Sequence, residues 1–188
     1  MAYVKLEIST ADGQKFFHLV SDAIKPQTIL KVIGGRFLSY IDESFRTRGR
    51  GAWAALSPLT LLLRKHGGDA PLQDSGRYKQ SFPPPVGKGA VETDNQTFIE
   101  IGTNLKTPSG LSLGKIHEFG TGPYTIRVKR ARVLAAQTRA GGWLFFGKQV
   151  NHPGIPARPV LPTKAVAEHL MQQTLDAMLS RVLAQQGG

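Results

Sequence analysis

The chain has 188 residues, the length of one domain at roughly 150 residues per domain, and its 40% apolar and 20% charged residues are ordinary globular usage. No apolar run approaches the ~18 residues of a membrane helix, and the opening Met1-Ala-Tyr-Val-Lys-Leu-Glu lacks the apolar stretch of a secretory leader, so a chain that is neither membrane-spanning nor exported is expected. Cysteine is absent, which removes disulfides, thiolate nucleophiles, zinc fingers and iron–sulfur sites, while 24 Lys and Arg against 13 Asp and Glu leave +11 and point to a polyanion or an acidic surface as partner.

Tyr3 to Ser9 alternates with Val4, Leu6 and Ile8 on one face and runs into Ala-Asp-Gly, which predicts an edge strand and a turn. From Gln27 to Phe45, behind Pro26, Leu30, Ile33, Phe37 and Ile41 recur at helical spacing and predict one amphipathic helix. Gly34-Gly35 at its middle weaken it by roughly 1 kcal/mol each relative to Ala, so the helix packs tightly there or breaks. A basic loop, Arg46-Thr-Arg-Gly-Arg-Gly, follows. Ser57-Pro58 then supplies an N-cap and a first-turn proline for a short helix through about Lys65, closed by Gly67-Gly68. Pro71 to Phe82 reads as another short helix, stopped by Pro83-Pro84-Pro85. Ala90–Thr93 and Thr97–Gly102 alternate around Asp94-Asn95-Gln96 and predict a hairpin, and Leu113 to Phe119 reads as a one-turn helix or bend.

Tyr124 to Lys129 alternates strictly, and Trp143-Leu-Phe-Phe, entered through Gly141-Gly142, is its expected partner, giving a long basic hairpin arm over about 124–150. Three prolines make 152–159 extended or turning rather than regular, and Thr163 caps a last helix to about Gln185 with Ala167, Met171, Leu175, Met178, Leu179 and Val182 along one stripe. The sum is an α+β fold in a single domain over 1–188: a small, mostly antiparallel sheet flanked by helices, with a hairpin arm and a C-terminal helix.

Chemistry is sparse. There is no Gly-x-Ser-x-Gly, the five histidines are scattered, and the glycine turns at 102 and 120 lack the Lys-Ser/Thr ending of a phosphate loop. No catalytic residue, metal site or cofactor is expected. From Phe119 to Ala167, however, there is no acidic residue, while Arg127, Lys129, Arg130, Arg132, Arg139, Lys148, Arg158 and Lys164 are all positive. With Arg46, Arg48, Arg50 and Trp53 of the basic loop, the six arm cations from Arg127 to Lys148 are the candidate contacts to a subunit or partner. A solvated surface kept basic for solubility accounts for the same run. Tyr124, Trp143, Phe145 and Phe146 among those cations also suit stacking on a single strand, although core aromatics account for them as well.

The order of five segments is more informative than any one. Gly51-Ala-Trp-Ala-Ala-Leu-Ser-Pro-Leu-Thr, Leu72-Gln-Asp-Ser-Gly-Arg-Tyr-Lys-Gln-Ser, Ile99-Glu-Ile-Gly-Thr, Ile116-His-Glu-Phe-Gly-Thr and His152-Pro-Gly-Ile-Pro-Ala-Arg-Pro-Val-Leu together resemble the phage virion morphogenesis family, the tail completion and head–tail joining proteins of tailed phages such as Mu. The resemblance spans about residues 40–170. Val160 departs from it, standing where the family carries Phe, and the first 25 residues lie outside it. It implies a virion part at the tail–head junction, assembled in the host cytoplasm. It further implies a homo-hexameric ring that meets the tail tube protein and head–tail connector proteins, and through which DNA passes without specific binding, with no membrane involved. Leu72, Gly76, His117, Phe119, Gly120, His152, Pro153, Gly154, Arg158 and Pro159 are the motif positions expected to hold the fold, with Phe119 and His117 closing a sheet. Two other functions remain, a non-specific nucleic-acid-binding protein and an enzyme of unrecognised site.

Overall fold

A computed structural model describes residues 4–9, 26–66, 68–84, 92–94 and 98–186. Three strands, β1 (Val4–Ser9), β2 (Glu92–Asp94) and β3 (Phe98–Thr103), form an antiparallel sheet in the order β1-β3-β2. β1 is the edge strand expected, paired from Val4 opposite Thr103 to Ser9 opposite Phe98. The expected hairpin pairs Glu92 with Ile101 and Asp94 with Ile99, and its turn at 95–97 lies outside the described residues, as do the first predicted turn, Gly67 and Pro85.

Against β3 lies helix α1 (Pro26–Arg46). Its buried side chains Ile29, Leu30, Ile33, Phe37, Leu38, Ile41 and Phe45 recur at the three-and-four spacing that puts one stripe on one face. They join Ile99 and Ile101 of β3, Trp53, Tyr78, Phe82 and Val160 in one apolar cluster. The C-terminal helix α5 (Lys164–Gln186) packs on the same cluster through Ala167, Leu170, Met171, Leu175 and Met178. Leu170 was absent from the predicted stripe. Leu179 and Val182 are half-buried beyond the cluster.

Gly34 and Gly35 explain why α1 stays whole. A Cβ on Gly34 would overlap Ile99 Cδ1, so the missing side chain is what lets the helix backbone approach the sheet, whereas Gly35 faces open space. Gly35→Ala is expected to stabilise the protein by about 1 kcal/mol through helix propensity. Gly34→Ala is expected to destabilise it, because Ile99 is fully buried and overpacking of about 1–3 kcal/mol outweighs the same propensity gain. Urea midpoints of the two variants should therefore move in opposite directions.

Three short helices frame the loops. α2 (Pro58–Leu63) is capped by Ser57, whose Oγ accepts from Thr60 N, and it ends at Leu63 rather than Lys65 because Arg64 turns extended at ψ 135°. The helix expected over 71–82 shrinks to α3 (Arg77–Gln80). Leu72 at φ 63° and Gly76 at φ 70° are left-handed, and neither can continue a right-handed helix. α4 (Leu113–Phe119) is capped by Ser112, whose Oγ accepts from Lys115 N, and runs longer than one turn.

The arm is a nested pair of hairpins. The outer ribbon joins β4 (Tyr124–Arg127) to β7 (Gln149–His152), and the inner one joins β5 (Leu134–Gln137) to β6 (Trp143–Gly147). The Trp143 strand thus pairs with Leu134–Gln137 and not with the Tyr124 strand. The stretch between the two predicted strands is long enough to hold a strand of its own, and the turn at 138–142, with Gly141 at φ 88°, closes it locally.

Candidate functional site

The five motif segments close on one another at the foot of the arm. Trp53 Nε1 donates to Pro159 O at 2.9 Å, and the Arg158 guanidinium donates to Ala54 O at 3.1 and 2.9 Å and to Ala55 O at 3.3 Å. Arg158 N donates to His117 O at 2.6 Å, while Glu118 Oε1 accepts from Val160 N at 2.8 Å and Leu161 N at 3.2 Å. The His117 ring stands edge-on to Tyr78 with centroids 4.7 Å apart, and the Ser81 and Thr103 hydroxyls meet at 2.6 Å. Segments far apart in sequence thereby form one interlocked junction.

Two glycines set its spacing. Gly120 and Gly154 both have positive φ, and a Cβ on Gly120 would lie 2.6 Å from Ile155 O, while one on Gly154 would overlap Thr121 O. Between them Thr121 N donates to Ile155 O and Ile155 N to Thr121 Oγ1, both at 2.9 Å. Only glycine satisfies both the backbone sign and the close approach.

Burial governs the electrostatics here. It pushes His117 down to about 4, with the Arg158 charge adding to the effect, so its imidazole is neutral at pH 7. It raises the Tyr78 phenol, helped by the Glu118 charge. The Glu118 carboxyl is raised by burial too, against the pull of its two backbone donors. Arg158 is lowered by burial, yet a guanidinium stays charged. Glu118 and Tyr78 were missing from the sequence reading as site residues. Their signal was their place inside two of the motifs.

Other motif residues are placed as follows. Leu72 is half-buried against the core, and His152 stacks on Tyr124 at 4.6 Å while its Nδ1 accepts from Gly154 N. Pro153 is exposed. Phe119 does not close a sheet. It is 78% exposed, because it shares the outward side of α4 with Lys115 while Gly114, Ile116, His117 and Glu118 turn inward.

The two groups of interface candidates divide sharply. Arg46 pairs with Glu43, and Arg48 grips Asp69 with two bonds of 2.9 and 2.8 Å that hold the Asp69 carboxyl below its ordinary value. Arg50 lies 3.6 Å over the Tyr40 ring and donates to Ser44 Oγ. Trp53 is buried rather than presented, since its ring fills the space that Gly49 leaves and packs edge-on to Phe45. By contrast Arg127, Lys129, Arg130, Arg132, Arg139 and Lys148 are exposed, and among the described residues none has an ion-pair partner.

The arm also presents apolar surface. On β6 Trp143 and Phe145 are 59% and 69% exposed on the face they share with Gln137 and Ala135, while Leu144 and Phe146 on the other face are half-covered. On the outer ribbon Tyr124 and Ile126 are exposed opposite His152 and Val150, with Arg127 on the reverse face. One backbone bond, Arg139 N to Leu62 O at 3.1 Å, holds the inner tip to the end of α2.

No known family, curated protein or solved structure matches this chain. Among the described residues no helix is long and apolar enough to cross a membrane, and no three His, Asp or Glu side chains gather as metal ligands would.

Proposed function

We propose that this chain is a structural virion protein of a tailed bacteriophage, which completes the tail and joins it to the head as a ring, a homo-hexamer meeting the tail tube protein below and connector proteins above. The observation that carries this reading is the arm: six cations without an ion-pair partner among the described residues and an exposed Trp143–Phe145 face, on a ribbon rooted in a hydrogen-bonded junction. Such a surface is unusual on a solitary molecule and suits a protein–protein contact. The mutual packing of the five motif segments supports the resemblance they carry. Head-to-tail contacts whose rotation closes on itself give a ring.

Native mass spectrometry and imaging of assembled necks should find closed rings, six copies in each. Only monomers or two-fold dimers in assembled particles would reject the reading.

One observation favours a second function. Exposed Trp143 and Phe145 on an arm of exposed cations also offer base stacking and phosphate contacts. In a ring that a genome traverses, bound phosphate impedes transit, so loose binding indifferent to sequence is expected in low salt. By counterion release it should vanish near about 0.2 M salt. An anisotropy titration with single- and double-stranded DNA separates the two, since tight, sequence-selective binding that survives this salt promotes the nucleic-acid reading.

A further inference from the structure

Beside the junction a cleft of about 350 Å³ opens between α2, α3 and α4, a volume within the range of ligand-binding clefts. Its apolar wall is Leu56, Leu72, Leu105 and Leu113, and its polar lining includes Arg64, Asp74, Arg77, Tyr78, His117 and Arg158.

The charges of this lining do not balance. Arg64 and Arg158 are each only 6% exposed. Asp74 answers Arg64 at 3.4 Å, but among the described residues no carboxylate answers Arg158 or Arg77. Arg158 gives Nε and Nη2 to neutral carbonyls, and no partner for its Nη1 is found among the described residues. Glu118, in the same junction, already holds Val160 N and Leu161 N. A buried cation without a counter-ion is strongly disfavoured unless something neutralises it. Two buried polar atoms of the lining, Tyr78 OH and His117 Nδ1, have no partner among the described residues, and Leu72 in the wall is held at a positive φ.

We propose that this cleft is a binding site for a carboxylate flanked by apolar side chains, presented by an acidic segment of a different protein. The four leucines disfavour a hydrated phosphodiester, which suits an open polar groove. A second copy of this chain is a poorer donor, because among the described residues Asp42, Glu43, Asp69 and Glu168 each already sit on a Lys or Arg of their own chain, and Asp176 accepts from Gln172 Nε2 of its own helix. The proposal does not depend on ring formation.

The test uses the full chain with two capped peptides, acetyl-Leu-Glu-Leu-Leu-amide and its Gln counterpart, by calorimetry and by the NMR shift of the His117 imidazole. The Glu peptide should bind about tenfold or more tightly than the Gln peptide, as a charged hydrogen bond implies, and should move the His117 signals. Arg77→Glu reverses a rim charge whose side chain has no described partner, so it should keep the fold and lose about tenfold in binding. Arg158→Lys, judged alongside a melting curve, should weaken binding too, since a point charge replaces the fork. Equal affinity for the two peptides, no binding at millimolar concentration, or an unchanged Arg77→Glu variant would overturn the proposal. So would displacement of the Glu peptide by inorganic phosphate at equal concentration, which marks a general anion site, or self-association that the Glu peptide abolishes, which marks a second copy.

Discussion

Replacing residues 128–148 by Asn-Gly is expected to leave a folded chain that cannot complete particles. Arg127 and Gln149 are opposite one another in the outer ribbon, so a two-residue turn closes that ribbon without disturbing its register. No residue of the buried core lies within 128–148, and the tip's bond to Leu62 contributes only about 1 kcal/mol. The replacement removes five of the six arm cations together with Trp143 and Phe145. Aromatic anchors of this kind contribute about 2–4 kcal/mol each to an interface, so a subunit or ring contact built on them should weaken about a thousandfold or more. Complementation of a phage lacking this protein, scored by infectious titre, measures the result, with circular dichroism as the check on folding. A well-folded variant that supports full titre would reject the arm as a contact and leave it a solvated decoration.

The largest stability effect is expected at Trp53. Its ring is buried, meets Phe45 edge-on at 5.9 Å, and fixes Pro159 O through Nε1. Trp53→Ala should lower stability by about 4 kcal/mol, a large share of the 5–15 kcal/mol typical of a domain. Trp53→Phe keeps much of the ring but orphans the Pro159 carbonyl, and should lose about 1–2 kcal/mol. Urea denaturation of both variants gives the order. A Trp53→Ala loss below about 1 kcal/mol would mean that the ring does not tie the 152–161 segment to the core.

These two expectations mark where sequence and structure parted. Arg46, Arg48, Arg50 and Trp53 read as candidate contacts to a subunit or partner, yet Glu43, Asp69 and Tyr40 hold the three arginines and the core takes the tryptophan. A loop arginine finds its partner by tertiary proximity, and Asp69 lies on the far side of a helix and a turn. The arm's cations were legible because a run without a single carboxylate cannot pair within itself. Tyr78, Glu118 and the cleft were not legible as a unit, since their charges and orphaned atoms matter only once α3 and α4 stand together.

What the amino-acid order determined by itself was local: the stripe of α1, the Ser57-Pro58 cap of α2, the alternation of β4, the apolar run of β6, and the C-terminal helix, each written over a few residues. Tertiary structure alone decided which strands pair in the arm, why Gly34 must lack a side chain, and that Phe119 faces outward while His117 is enclosed. Periodicity sets which face of an element is apolar. It carries no information about which distant face will cover it, because that choice depends on volume, register and backbone approach between segments that meet only after the chain has folded.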